Sequence, residues 1–196
     1  MEKREGSRRR KTRETDIEIE INLDGAGRYE INTGVPFMDH MLAQVARHGL
    51  FDMKVSAKGD TEIDGHHTVE DVGISLGEAV KQALGDGKGI RRFGAASVPL
   101  NEALSSVSLD VSGRPFLVYD IKLSRDKGGD CDAELAEEFF RAFVASAGIT
   151  LHIRLISGTN LHHILESIFK SFARALDHAT QMDERVKDIP STKGVL

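Results

Sequence analysis

The sequence contains the pattern HHxxE twice, and each copy occupies the same place in a repeated order of predicted elements. The copies begin at His66 and His162, and each follows a predicted helix, a glycine and a predicted strand. This agreement indicates duplication of one unit of strand, helix, strand and helix. The predicted fold class is therefore α+β, with two similar halves that each form a mostly antiparallel sheet with two helices on one face.

The hydrophobic pattern places these elements along the chain. Alternating isoleucines predict a strand over residues 16–23. Apolar residues three and four positions apart predict a helix over residues 37–48, with Gly49 as its left-handed C-cap. Further strands are predicted over residues 28–32, 50–57, 105–111, 115–123 and 149–156, further helices over residues 66–84, 133–147 and 162–178, and a polar loop over residues 124–132.

Two glycines interrupt the helix that carries the first HHxxE copy. Gly73 and Gly77 continue the face of His66 and Glu70. Each costs about 1 kcal/mol of helix propensity relative to alanine. We therefore expect another backbone or another subunit to pack closely against this face.

Composition restricts both the metal chemistry and the compartment. The single cysteine, Cys131, cannot form an intramolecular disulfide or a thiolate zinc cluster, so any metal must use nitrogen and oxygen ligands. No apolar run is long enough to span a membrane, and residues 1–15 lack the apolar stretch of a secretory signal. We expect a cytoplasmic protein with no membrane partner.

Charge argues against a nucleic-acid partner. The formal net charge is -5, although seven of the first 13 residues are Lys or Arg. We interpret residues 1–12 as a flexible, solvated basic N-terminus, with contact to a polyanion as the alternative. The remaining chain divides into a first repeat over residues 13–94, a second over residues 95–183, and a C-terminal tail over residues 184–196.

The two HHxxE copies predict a two-ion metal site with ligands from both halves. On a helix, the glutamate shares a face with either preceding histidine, so the sequence leaves open which histidine joins Glu70 or Glu166 on one ion. Imidazole and carboxylate ligands suit manganese, iron or zinc. The preceding helices offer further candidates: His40, His48 and Glu138.

Three turns combine Arg, Lys or a hydroxyl with Gly or Pro, as anion-binding turns do. They contain Arg92, Arg114, and the pair Ser191 and Lys193. Neither Gly-rich nucleotide-binding pattern occurs in the sequence. The turns are therefore candidate anion sites, with ordinary exposed basic turns as the alternative, and the missing Gly-rich patterns argue against a nucleotide site.

Several of these segments together resemble imidazoleglycerol-phosphate dehydratase, a lyase of histidine biosynthesis. The resemblance extends from about residue 13 to residue 196 and includes FMDHML, DGHHTVEDVG, GIRRFG, DVSGRP, TLHI, HHILESIFK and PSTKG. It implies a duplicated fold like domain 2 of ribosomal protein S5, a 24-subunit homo-oligomer, and two manganese ions per active site at subunit boundaries. It also implies dehydration of D-erythro-imidazole glycerol phosphate to imidazole acetol phosphate.

The resemblance assigns roles to individual positions. Glu14, Glu70 and Glu166 are the expected catalytic carboxylates, and Glu14 is expected to contact the substrate and act as acid or base. The expected metal ligands are His40, His66, His67, Glu70, Glu138, His162, His163 and Glu166. The expected substrate or phosphate ligands are Glu14, His48, Arg92, Arg114, Lys170, Ser191 and Lys193.

Two positions depart from the pattern that the family usually shows. Glu138 stands where many members have histidine, and Asn101 stands where the usual residue is aspartate. Glu138 can still supply oxygen to a metal, whereas a role that needs a carboxylate at position 101 is in doubt.

The chemistry explains why such a ligand set is needed. The proton to be removed lies on a carbon with no adjacent carbonyl, so a base alone faces a very weak acid. Metal ions with open positions can bind the substrate's ring nitrogens as imidazolate, whose electrons then expel the neighbouring hydroxyl. A metal-storing assembly is one alternative function, but storage does not need the candidate phosphate-binding turns. A nucleic-acid module is the other, but the net negative charge counts against it.

Overall fold

The chain folds as two halves with the same order of strands and helices. This computed structural model describes residues 3–122 and 131–196. The first half contains β1 (Glu5–Lys11), β2 (Thr15–Asn22), β3 (Tyr29–Asn32), α1 (Pro36–Gly49), β4 (Asp52–Gly59) and α2 (His66–Leu84). The second half contains β5 (Phe93–Leu100), β6 (Ala103–Asp110), β7 (Phe116–Asp120), α3 (Cys131–Ala147), β8 (Thr150–Ser157) and α4 (Leu161–Thr180).

Each half forms one four-stranded sheet, and the two sheets have the same topology. Their orders are β1-β2-β4-β3 and β5-β6-β8-β7. In each sheet two neighbouring pairs are antiparallel, and the third pair, β3 with β4 or β7 with β8, is parallel. The predicted α+β duplication with mostly antiparallel sheets is confirmed.

The helices of the two halves pack against each other in pairs. Helix α1 contacts α4 and α2 contacts α3, while α2 and α4 also cover the inner faces of their sheets. A Cβ at Gly73 would lie 2.7 Å from the Phe139 carbonyl oxygen, and one at Gly77 would lie 2.6 Å from that of Phe143. The expected close approach of another backbone is therefore confirmed, and that backbone is α3.

Two strands, β1 and β5, were not predicted from the sequence. Strand β1 lies where a flexible N-terminus was expected. Strand β1 pairs along its whole length with β2. Its inward positions are Gly6, Arg8 and Arg10, so it lacks the hydrophobic alternation that marks a strand. The Arg10 Nε lies 2.8 Å from the Asp71 Oδ1 on α2, and Arg8 pairs with Glu78. Ion pairs with a helix thus replace the apolar contacts of an ordinary inward face.

The second missed strand, β5, begins at Phe93, so the expected boundary between residues 94 and 95 falls inside it. Gly94 is buried against α4, and glycine is needed there because a Cβ would collide with the Ala175 carbonyl oxygen. As in β1, a glycine at an inward position interrupts the hydrophobic alternation that predicts a strand. Of the predicted polar loop over residues 124–132, residues 124–130 lie outside the described part of the chain, and residues 131 and 132 belong to α3.

The predicted C-cap of α1 is one residue too early. Leu50, and not Gly49, has the left-handed conformation, with φ 58°. Gly49 is needed for space, because a Cβ there would lie 2.3 Å from the ring of Phe51, a core residue. Within the described ranges, none of the helices has the length and apolarity needed to cross a membrane.

Candidate active site

Helices α1 and α4 bring three potential metal ligands together. Glu166 Oε2 lies 3.4 Å from the His40 Nε2 and 3.3 Å from the His162 Nε2. The two imidazole rings are stacked, with centroids 5.6 Å apart. One ligand atom from each residue lies within 4.8 Å of the others, and among the described side chains no other group of three His, Cys, Asp or Glu does so. The structure thus selects His162, and not His163, as the partner of Glu166.

The surroundings of Glu166 keep it ionised. Burial by itself would raise the pKa of Glu166, but hydrogen bonds from Lys170 and His40 hold that pKa below its usual value. Lys170 Nζ lies 2.6 Å from the Glu166 Oε1, which leaves Oε2 facing the histidines. Lys170 was expected to bind substrate, but here its ammonium group contacts this ligand carboxylate. An ionised carboxylate beside two imidazoles is a donor set that fits a divalent first-row ion.

His48 lies two turns after His40 on α1. Its Nε2 lies 3.1 Å from the Gln44 Oε1. Partial burial, together with the positive charge of Lys170, lowers the pKa of His48. At neutral pH this histidine is therefore an uncharged hydrogen-bonding group.

The first HHxxE copy lies on α2, next to α3, and repeats this arrangement in part. Gly73 lies opposite Ala142 and Gly77 opposite Ser146, so the two helices run in the same direction with a constant offset. That offset puts Glu70 opposite Phe139, one residue from Glu138. Glu138 has its Oε2 3.8 Å from the Arg141 Nε. His66 and Glu70 thus correspond to His162 and Glu166, and Glu138 corresponds to His40.

The second histidine of each copy turns away from the glutamate and contacts a different carboxylate. His67 Nδ1 lies 2.9 Å from the Asp60 Oδ2, and His163 Nδ1 lies 2.8 Å from the Glu102 Oε2. The hydrogen bond with Asp60 raises the pKa of His67. Backbone N–H groups, first that of Asn160, and His163 lower the pKa of Glu102 to about 2.

Asp60 and Glu102 were not among the expected site residues. Asp60 follows β4, and Glu102 lies in the turn between β5 and β6. Asn101, which precedes Glu102 in this turn, has φ 49°. Asparagine tolerates that conformation, as aspartate does. An acidic residue in a turn is common, so only the contact with a histidine distinguishes these two positions.

Glu14 lies in the turn between β1 and β2. Its Oε2 is 3.9 Å from the His67 Nδ1, and 58% of its side chain is exposed. The turn is held by the Thr12 Oγ1, which accepts hydrogen bonds from the backbone N–H groups of Glu14 and Thr15. Its carboxylate is therefore near a potential ligand but accessible to a substrate.

The four expected phosphate ligands line one cavity at the opposite end of the second half. This cavity of about 360 Å³ is lined by Arg92, Arg114, Ser191 and Lys193, together with Ser112 and Gly113. Arg92 donates from Nε to the Asp110 Oδ1 at 2.7 Å and from Nη1 to the Pro190 carbonyl oxygen at 2.8 Å. Arg92 thus holds the C-terminal segment in place, and Arg114 and Lys193 add positive charge beside it.

The chain is similar to known proteins over most of its length. A family model for imidazoleglycerol-phosphate dehydratase matches residues 33–176. The imidazoleglycerol-phosphate dehydratase of Acetivibrio thermocellus is 59% identical over 187 residues, which are 95% of this chain and 96% of that protein. The enzyme of that name from Symbiobacterium thermophilum is 57% identical over 100% of this chain and 94% of its own length.

The chain belongs to the imidazoleglycerol-phosphate dehydratase family. Solved structures from this family have the same fold. The Staphylococcus aureus enzyme has a TM-score of 0.80 and 40% identity, covering 91% of this chain and 99% of its own. The Pyrococcus furiosus enzyme, in complex with (S)-C348, has a TM-score of 0.82 and 39% identity, covering 96% of this chain and 100% of its own.

Membership of this dehydratase family establishes the type of reaction. The chain is a hydro-lyase of histidine biosynthesis that acts on a small molecule. Such an enzyme must break one C–H bond and one C–O bond of its substrate. The two HHxxE copies lie within the matched residues 33–176, as do Arg92 and Arg114.

Proposed function

We propose that this dehydratase converts D-erythro-imidazole glycerol phosphate to imidazole acetol phosphate and depends on manganese. The observation that carries the metal dependence is the cluster of His40, His162 and Glu166, whose ligand atoms lie within 4.8 Å of one another. A divalent ion bound there would act as a Lewis acid toward the substrate's imidazole ring. Lys170 supports the cluster by keeping Glu166 ionised.

A second ion would be held by the equivalent residues of the first copy. His66, Glu70 and Glu138 occupy the corresponding positions on α2 and α3. Glutamate at position 138 supplies an oxygen where His40 supplies a nitrogen, and manganese accepts both. His67 and His163 are the remaining ligands in this proposal.

Glu14 would transfer the proton. Its exposed carboxylate lies on a short turn that the Thr12 hydroxyl and strand pairing hold in place. Positioned acids and bases of this kind contribute about 100-fold to 10,000-fold to a rate. A Glu14→Gln variant should therefore keep its metal content and lose at least about 100-fold in kcat. The matched control is Glu18→Gln, on the exposed side of β2, and near-normal turnover of Glu14→Gln would remove Glu14 from the mechanism.

The cavity around Arg92 would bind the phosphate group. Arg114 and Lys193 supply positive charge, and Ser191 supplies a hydroxyl. The cavity adjoins the end of α4, because the Arg92 N–H donates to the Ala179 carbonyl oxygen at 2.9 Å. Glu166 lies 13 residues earlier on this helix, a distance of about 20 Å.

This separation supports self-assembly into a homo-oligomer, proposed to contain 24 subunits. A three-carbon chain that ends in phosphate extends only about 8 Å. One substrate molecule therefore cannot reach the metal cluster and the phosphate cavity of the same chain, so a neighbouring subunit must complete the site. The outer face of the second sheet also exposes Phe93, Phe116 and Ile156, as contact surfaces do.

Metal removal and restoration test the proposal directly. Chelator-treated protein should lose turnover of imidazole glycerol phosphate, and Mn²⁺ should restore both bound metal and activity. His40→Ala should prevent this restoration, whereas Glu18→Gln should not. Activity that is indifferent to chelation would contradict the metal dependence. We also propose a cytoplasmic location, which agrees with the single cysteine, Cys131.

A further inference from the structure

The second histidines of the two HHxxE copies share a contact that their sequence spacing does not require. In each case a carboxylate oxygen lies within 3 Å of the imidazole Nδ1: Asp60 on His67 and Glu102 on His163. An ionised carboxylate only accepts hydrogen bonds, so the Nδ1 must carry the proton and donate it. In the neutral ring the Nε2 is then left with a lone pair.

The two carboxylates reach this position from different places in the fold. Glu102 lies in the turn between the first two strands of its half, and the corresponding turn in the first half holds Glu14. Asp60 instead comes from the loop between β4 and α2. Duplication alone therefore does not explain why both histidines have a carboxylate at Nδ1. A shared requirement of the two histidines does explain it.

The same comparison explains how Glu14 stays available. Its Oε2 is 3.9 Å from the His67 Nδ1, beyond hydrogen-bonding distance, whereas Asp60 is at 2.9 Å. Asp60 thus takes the role at His67 that Glu102 takes at His163. The two corresponding turns therefore differ, since one places its carboxylate in hydrogen-bonding contact with a histidine and the other presents an exposed carboxylate at a longer distance.

We propose that Asp60 and Glu102 are positioning residues that hold His67 and His163 with Nε2 directed to a metal ion. The inference rests on the proposed metal-dependent function. A carboxylate behind a ligand histidine fixes its tautomer and ring orientation and makes it a more basic ligand. The Nε2 of His163 lies 3.4 Å from the Asn101 Nδ2. Each second histidine would therefore serve a different ion from the one held by His162 and Glu166 or by their equivalents.

Asp60 and Glu102 could instead serve only the stability of the fold, and this structural role makes a different prediction from the positioning role. Asp60 distinguishes the two roles better than Glu102 does. Glu102 also accepts a hydrogen bond from the backbone N–H of Asn160 at 2.9 Å, at the start of α4. Among the described residues, His67 is the one side-chain partner within hydrogen-bonding distance of Asp60, and none of them donates to its buried Oδ1. Asp60→Asn keeps the shape and removes the charge that holds the proton on Nδ1.

The test is a titration of chelator-treated, full-length protein with Mn²⁺ alone, followed by the electron paramagnetic resonance signal of free Mn²⁺. Asp60→Asn should weaken Mn²⁺ binding about 10-fold to 100-fold. In a His67→Ala background the same substitution should have no further effect, because Asp60 acts through that ring. Glu102→Gln should behave likewise with His163→Ala, and Glu20→Gln, on the outer face of β2, is the matched control.

Each outcome distinguishes the positioning role from a purely structural role. Variants that bind Mn²⁺ as tightly as the wild type, or an Asp60→Asn effect that persists in the His67→Ala background, would overturn this inference alone. Wild-type protein that binds no Mn²⁺ would overturn the proposed metal dependence as well. The midpoint of unfolding in urea is measured for every variant, and an affinity loss that merely follows a loss of stability would also refute the positioning role.

Discussion

Replacing Gly77 by alanine tests the packing that aligns the two helices of the first copy. Gly77 lies on α2 where the backbone of α3 passes closest. A Cβ at this position would lie 2.6 Å from the Phe143 carbonyl oxygen and 2.9 Å from the Ala147 backbone nitrogen. Ordinary contacts of a Cβ begin at about 3.4 Å, so the helices would have to separate by roughly 0.8 Å.

The expected change in stability is the difference between two opposing terms. Alanine favours the helix over glycine by about 1 kcal/mol. Overpacking costs about 1 to 3 kcal/mol, and the upper value applies here because the obstructing atoms belong to a helix backbone. The net effect should be a loss of about 2 kcal/mol in the free energy of unfolding.

Urea unfolding followed by circular dichroism measures this change, at one protomer concentration because assembly would affect the midpoint. The matched control is Gly65→Ala at the start of α2, where φ is -86° and a Cβ would only reach ordinary contact at 3.4 Å. Gly77→Ala should lower the midpoint and Gly65→Ala should not. A Gly77→Ala protein that is more stable than the wild type would refute the close contact between α2 and α3.

Two further predictions concern the first sheet. Asp52 accepts hydrogen bonds from Arg28 and from the Ala26 N–H, which hold its pKa well below the ordinary value of 3.8. Because the folded state binds this proton less readily than the unfolded state, the stabilisation is present above pH 3.8 and is lost as the pH falls below it. Asp52→Asn should therefore be less stable than the wild type at pH 7, and the difference between their urea midpoints should be smaller at pH 3 than at pH 7; a difference that is constant with pH would contradict this reasoning. Removal of residues 1–11 should destabilise the chain and increase proteolysis. The reason is that β2 would lose the pairing that β1 provides, and Arg10 would no longer neutralise Asp71. An unchanged urea midpoint would show that β1 contributes nothing to stability.

The candidate site was predictable where one helix carries the whole pattern. Spacing alone places Glu166 on the face of the HHxxE histidines, because a helix repeats every 3.6 residues. It does not choose between His162 and His163, which lie four and three positions before the glutamate. That choice depends on where Glu102 and His40 lie, and both come from other elements.

The sequence by itself determined the duplication, the four helices of the described residues and the chemical type of the candidate ligands. These properties depend on residues close together in the chain, whose periodicity is visible in the pattern of apolar and polar side chains. Strand β1 was missed because its inward arginines are stabilised by Asp71 and Glu78 on α2, far away in the sequence. Only the tertiary structure brought Asp60 to His67 and separated the cavity around Arg92 from the cluster of His40, His162 and Glu166, because both results depend on how distant segments pack.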